Sequence, residues 1–226
     1  MTDTVLQSGR GSLSGQSILL TGFGPFPGVT VNASARLVAA AVEAARADYR
    51  DHSFFGAVLP TEWIAAPSSA VDLITRIQPS LVLHFGVAQD CTGLRIETQA
   101  TNTCRMATDA CGSKPLSPGL VQAGADSLAV TLPIHQIARR LASRGIPASL
   151  SNDAGAYLCN AVLYCSLAFV RSASLPTRVG FIHIPTDLQR PALAFDTTVA
   201  GTLEIIAACL ENHPPHPSNG PPPPVA

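Results

Sequence analysis

Short unbroken apolar runs alternate with longer helical stretches from one end of the chain to the other. That alternation restricts the possible fold more than any other feature. The runs lie at 17–21, 52–59, 80–85, 146–150 and 179–184, with a further possible strand at 128–132. Each is short for a helix and largely apolar, and the nearly continuous run at 80–85 is what a strand covered on both faces gives. Between them come an Ala-rich stretch from 33 to about 47 and helical patterns at 67–78, 133–143, 161–169 and 195–211. Asn32 stands where an N-cap is needed, and Pro67 and Pro133 stand at helix starts, where a missing N–H costs nothing. The pattern predicts an α/β fold, a mainly parallel twisted sheet with helices on both faces. Segments 22–28 and 86–93 read as loops and 94–100 as an alternating, partly exposed extra strand. Residues 101–119 form a polar excursion of the length that often carries function.

With 226 residues, 46% of them hydrophobic, the chain can bury one sizeable core. The expected organisation is a flexible segment at 1–16, a single domain at 17–211 and a Pro-rich disordered tail at 212–226. A net charge of -1 with no Lys/Arg cluster speaks against nucleic acid or an anionic membrane as partner. Residues 1–16 carry no secretory h-region, and no apolar run approaches a membrane span. Six cysteines at 91, 104, 111, 159, 165 and 209 form no CxxC pair and no Cys/His zinc spacing, and His84 and His135 lack companions at ligand spacing. The spacing offers no metal site, and reduced thiols in a cytoplasmic protein are the natural reading. Gly22-Phe-Gly-Pro-Phe-Pro resembles half a dinucleotide fingerprint, but the third Gly is missing and Glu43 falls inside a helix.

In sheets of this kind, sites form beyond the carboxyl ends of the strands. Cys159 follows the 146–150 strand through Ser151-Asn-Asp-Ala-Gly and falls in the first turn of a helix. Unpaired N–H groups and the positive helix end favour a thiolate there and offer donors to an oxyanion. His183 sits near the end of the 179–184 strand and can serve as general base, or it is a core histidine bonded to backbone. Glu97 lies beyond the end of the 80–85 strand. It can orient that histidine, or it is the wet face of an alternating strand. Phe23 and Phe26 can wall a pocket for a flat, neutral group, or they are ordinary core.

Four blocks together resemble the pyroglutamyl peptidase type I family: Thr21-Gly-Phe-Gly-Pro-Phe26 with Val31-Asn-Ala-Ser34; Gly86-Val-Ala leading to Glu97 and Asn102; Asp153-Ala-Gly-Ala-Tyr-Leu-Cys-Asn160; and Gly180-Phe-Ile-His-Ile-Pro185. The resemblance covers about 17–211. It implies a single three-layer α/β/α domain of the phosphorylase/hydrolase-like kind. The activity it implies is that of a cysteine peptidase removing an N-terminal pyroglutamyl residue through a thioester, with no metal or cofactor. It also implies peptide substrates and a homo-oligomer, dimer or tetramer. Under it, Cys159 is the nucleophile, His183 the base and Glu97 the orienting carboxylate. Phe23, Phe26, Val87, Tyr157 and Leu158 line the substrate pocket, and the Cys159 N–H and Arg105 face the oxyanion. One block departs: many bacterial members have Gly-Gln-Ala-Gly-Gly-Arg where this chain has Gly86-Val-Ala-Gln-Asp-Cys91. Without the resemblance, a nucleoside phosphorylase-like glycosyl-transfer enzyme or a non-catalytic binding protein on a similar sheet remains open.

Overall fold

A computed structural model describes residues 15–26, 28–188 and 193–211. The expected tail at 212–226, and all but the last two residues of the expected segment at 1–16, lie outside them. In chain order the elements are β1 (Ser17–Phe23), α1 (Ala33–Asp48), β2 (Ser53–Leu59), α2 (Ala65–Ile77), β3 (Leu81–Ala88), β4 (Leu94–Glu97), β5 (Gln99–Thr101), β6 (Ser127–Ala129), α3 (Ile134–Ser143), β7 (Ala148–Ser151), α4 (Leu158–Ser172), β8 (Arg178–Pro185) and α5 (Phe195–Glu211). The main sheet has the order β2-β1-β3-β8-β4-β7, and β5 and β6 form a separate antiparallel pair.

Alternation along each strand sends its side chains to two cores. Leu20, Leu83 and Ile182 meet Leu37 of α1, Ile137 of α3 and Ile205 of α5 on one face. Leu19, Val82 and Phe181 meet Ile74 of α2 and Leu163 of α4 on the other. Burial on both faces is why these strands read as continuous apolar runs, each large side chain contributing roughly 1.5–3 kcal/mol. Asn32 caps α1, its carbonyl oxygen accepting from Ser34 N at 3.1 Å, while its amide donates to Gly24 O at 3.0 Å. One residue thus starts the helix and fixes the loop after β1.

The structure departs from the sequence reading in four places. β3 runs on to Ala88, so Val87 is a strand residue and the predicted loop at 86–93 starts later. The segment at 128–132 joins no main sheet; β6 pairs only with β5. The supposed extra strand, β4, is interior, lying between β8 and β7 with Glu97 fully buried. Finally, β4 runs antiparallel to β8 and β7 runs parallel to β4. The carboxyl end of β7 therefore points away from the edge where β1, β3 and β8 end. Periodicity reports how a strand is buried but not its direction, and this reversal was not legible.

His84 is a core residue. It is fully buried between Thr21 Oγ1 (2.6 Å) and Ser166 Oγ (3.1 Å), and burial pushes its pKa down to about 3. It is a neutral hydrogen-bonding bridge from β1 to α4, beneath the site.

Candidate active site

The carboxyl ends of β1, β3 and β8 open into a cleft of about 620 Å³. Parallel pairing sets Gly86 of β3 level with His183 of β8, and antiparallel pairing sets Arg95 of β4 opposite the same histidine. Residues two apart on a strand share a face, so Glu97 is the diagonal neighbour of His183. Its Oε1 lies 2.7 Å from His183 Nδ1. Cys159 lines the same cleft, and its charge and side-chain hydrogen bonding act on the imidazole. Cys159, His183 and Glu97, drawn from three separate elements, thus form one chain of contacts.

Because β7 points away, residues 152–157 must turn back to bring α4 to this edge. Gly155 at φ +78° makes part of the turn, and Asp153 Oδ1 accepts from its N–H at 2.8 Å. The helix begins at Leu158 behind an extended Tyr157, with no side-chain cap. The Asn and Asp of the preceding stretch do not cap it. First-turn N–H groups around Cys159 therefore keep no side-chain cap, and Tyr157, Leu158 and Cys159 line the cleft.

The His183 ring is cationic at neutral pH. Burial pulls its pKa down, but the charge and hydrogen bond of Cys159, with those of Glu97, outweigh burial and raise it from 6.5 to about 9. The folded value lies above the unfolded one. This proton therefore stabilises the fold fully below pH 6.5, and that contribution is lost as pH rises through about 9.

Every residue named as pocket-lining in the sequence reading reaches this cleft: Phe23, Phe26, Val87, Tyr157 and Leu158, with Arg105 at its edge. Phe23 lines the cleft and also packs in the core, only 4% exposed, its ring tilted against Phe181 with centroids 6.4 Å apart. Arg105 places its guanidinium over the Tyr157 ring, 4.9 Å from the centroid, and its N–H donates to Ala156 O at 2.8 Å.

Several supporting residues had no role assigned from sequence. Trp63 meets Tyr157 edge to face at 4.9 Å and donates Nε1–H to Ala107 O at 2.8 Å. The Asp109 carboxylate accepts from the N–H groups of Trp63, Cys111 and Ser113. Burial disfavours its charge, yet those donors hold its pKa below the usual carboxylate value. Asn160, beside the cysteine, binds Thr101 N, Thr101 O and Thr103 O. Asn102 accepts from Leu120 and Val121 and donates to Val121 O and Gly124 O. These side chains turn the excursion at 101–119 into a fixed wall. Only its polarity and length showed in the sequence, because the partners are far apart along the chain.

Gly86 is the floor beneath the sulfur. A Cβ there would stand 2.9 Å from Cys159 Sγ and 2.7 Å from Phe181 Cζ. Gly86→Ala is expected to push the sulfur off its line with His183 and lower kcat/KM by about 100-fold, as roughly 1 Å of misplacement does. Steady-state kinetics on the folded variant, checked by circular dichroism, decide this; a loss under threefold removes Gly86 from the site.

A cysteine at a helix start, an imidazole on its sulfur and a buried carboxylate behind the ring define a cysteine hydrolase on an α/β sheet. Among the described residues no group of side chains could hold a metal ion, and no helix is long and apolar enough to cross a membrane. The model of the pyroglutamyl peptidase family matches residues 16–211, and the chain belongs to that family. A pyrrolidone-carboxylate peptidase of Oceanobacillus iheyensis is 34% identical over 202 residues, covering 87% of this chain and all of that one. One from Pyrococcus furiosus is 35% identical, covering 74% of this chain and 80% of its own. Among solved structures, a mutant pyrrolidone carboxyl peptidase from Pyrococcus furiosus superposes with a TM-score of 0.78 at 30% identity, covering 86% of this chain and 98% of its own. Pyroglutamyl peptidase I from Bacillus amyloliquefaciens gives 0.77 at 29% identity, covering 88% and 98%. Family membership sets aside the glycosyl-transfer and non-catalytic alternatives.

Proposed function

We propose that this pyroglutamyl peptidase cleaves the bond after an N-terminal pyroglutamyl residue through a thioester on Cys159. His183 transfers the proton and Glu97 positions the ring. The observation that carries the reading is the contact chain from Cys159 through His183 to Glu97, at the mouth of an aromatic-walled cleft.

The Cys159 sulfur attacks the pyroglutamyl carbonyl. The developing oxyanion is met by first-turn N–H groups, including that of Cys159, each contributing roughly 3 kcal/mol to the lowered barrier. The His183 imidazolium gives its proton to the leaving amine, so the C–N bond breaks with a neutral product. The neutral ring then takes a proton from water as the water attacks the thioester. Phe23, Phe26 and Leu158 offer apolar surface to a neutral lactam. A free Gln or Glu N-terminus would bring an unpaired ammonium against the same wall and be rejected.

The rest of the reading follows the resemblance: residues 17–211 as one catalytic unit, self-association to a dimer or tetramer, and residence in the cytoplasm. The last is supported by six cysteines that are all free.

Rapid mixing with pyroglutamyl-aminomethylcoumarin and acid quench tests the thioester. The expected result is a mass increase of one pyroglutamyl group on the peptide containing Cys159, unaffected by chelator. Turnover with the acyl group on no cysteine, or on Cys91, overturns the assignment.

A further inference from the structure

The strand order lays the reaction out as a line. β1, β3, β8 and β4 lie side by side, so Phe23, Val87, His183 and Arg95 succeed one another across the cleft. With the lactam at the β1 end and the leaving amine at His183, the chain beyond that amine must pass over β4. This argument rests on the proposed function above.

What waits there is an ion pair that no catalytic step uses. Arg95, directly opposite His183, donates from Nη1 to Asp90 Oδ1 at 3.3 Å and from Nη2 to Asp90 Oδ2 at 3.0 Å. Both residues line the cleft. They differ sharply in exposure: the Asp90 side chain is 78% exposed and that of Arg95 22%. The guanidinium is recessed against the strand and the carboxylate stands forward. Asp90 also falls in the one block that departs from the bacterial pattern, where Gly-Gly-Arg gives way to Gln89-Asp90-Cys91. Arg95 holds the Asp90 pKa below its ordinary value, so the carboxylate is charged throughout the neutral range.

We infer that Asp90, braced by Arg95, forms the subsite for the residue after pyroglutamate and favours a basic side chain there over an acidic one. The forward carboxylate attracts a lysine or arginine, while the recessed guanidinium is already paired and offers an acidic side chain little. Of the other charged side chains in the cleft, His183 faces Arg95 from β8 and its charge also acts on Asp90, while Arg105 is over Tyr157, Asp109 is bound to backbone N–H groups and Asp153 accepts from Gly155 N.

The test compares pyroglutamyl-Lys-Gly with pyroglutamyl-Glu-Gly on the full chain, as the ratio of kcat/KM within each variant. Overall losses of activity or folding then cancel. The wild-type ratio is expected to favour lysine by about fivefold at low ionic strength and to shrink as salt is added. Asp90→Asn exposes the Arg95 charge and is expected to reverse the preference. Arg95→Gln leaves the carboxylate unopposed and is expected to sharpen it. A ratio near one in wild type, or shifts of the same sign in both variants, overturns the subsite. Failure to cleave either peptide while pyroglutamyl-aminomethylcoumarin turns over also overturns it; failure on all three strikes the proposed function instead.

Discussion

Cys159→Ser is expected to fold normally and to lose at least about 10⁴-fold in kcat/KM, the scale on which removing a covalent nucleophile acts. Folding should survive because serine is smaller than cysteine and the neighbouring Gly86 carries no side chain, so nothing overpacks. Activity should not survive, although an oxygen nucleophile sits in the same place. The reason lies in the partner. The His183 pKa of about 9 is held up first by the Cys159 charge and hydrogen bond. A hydroxyl carries no charge near neutrality, so serine withdraws that support and leaves Glu97 alone against burial, which pulls the ring down. The variant would hold a less basic imidazole beside a hydroxyl, a far weaker nucleophile than the thiol it replaces. Cys159→Ala should match the serine variant in rate. NMR titration of the ring gives a second readout: His183 in Cys159→Ser should titrate well below its wild-type value. Retained turnover in either variant, or an unmoved titration, would sink the nucleophile assignment.

The parts legible in the sequence were those with local causes. The strands of the parallel core were visible because both faces are covered, and α1 was placed by the cap at Asn32. Cys159 and His183 could be nominated because a helix start and a strand end each announce themselves over a few residues. Glu97 was harder. Its Leu-Arg-Ile-Glu alternation looks like a wet edge, and only insertion of β4 between β8 and β7 buries it. Pairing between strands separated by about 86 positions leaves no local trace, so the reversal of β4 and β7 escaped notice, as did the Arg95 position opposite His183. The same holds for Asp109 under Trp63, where one carboxylate closes a wall by reaching across 46 positions.

His183→Ala is expected to lose about 10⁴-fold, because one group both holds the sulfur's counter-charge and delivers the proton to the leaving amine. Glu97→Gln should be milder and more informative. A charge-assisted hydrogen bond is worth roughly 1.5–3 kcal/mol, which corresponds to a loss of about 10- to 100-fold. Glutamine can still turn its carbonyl oxygen toward Nδ1–H, so geometry and tautomer are retained while the charge is lost. The sulfur remains to support the ring proton, which is why the effect should fall short of that in His183→Ala. The sign of the pH effect follows from the wild-type ring. Glu97 raises the His183 pKa, so its neutralisation lowers it, and the imidazolium disappears at lower pH. The alkaline fall in kcat/KM, expected near pH 9 in the wild type, should therefore move toward neutrality in Glu97→Gln. A purely structural carboxylate would lower the rate or the melting temperature without shifting that limb. A Glu97→Gln enzyme with an unshifted alkaline limb would reduce Glu97 to a buried strand residue that happens to touch the ring.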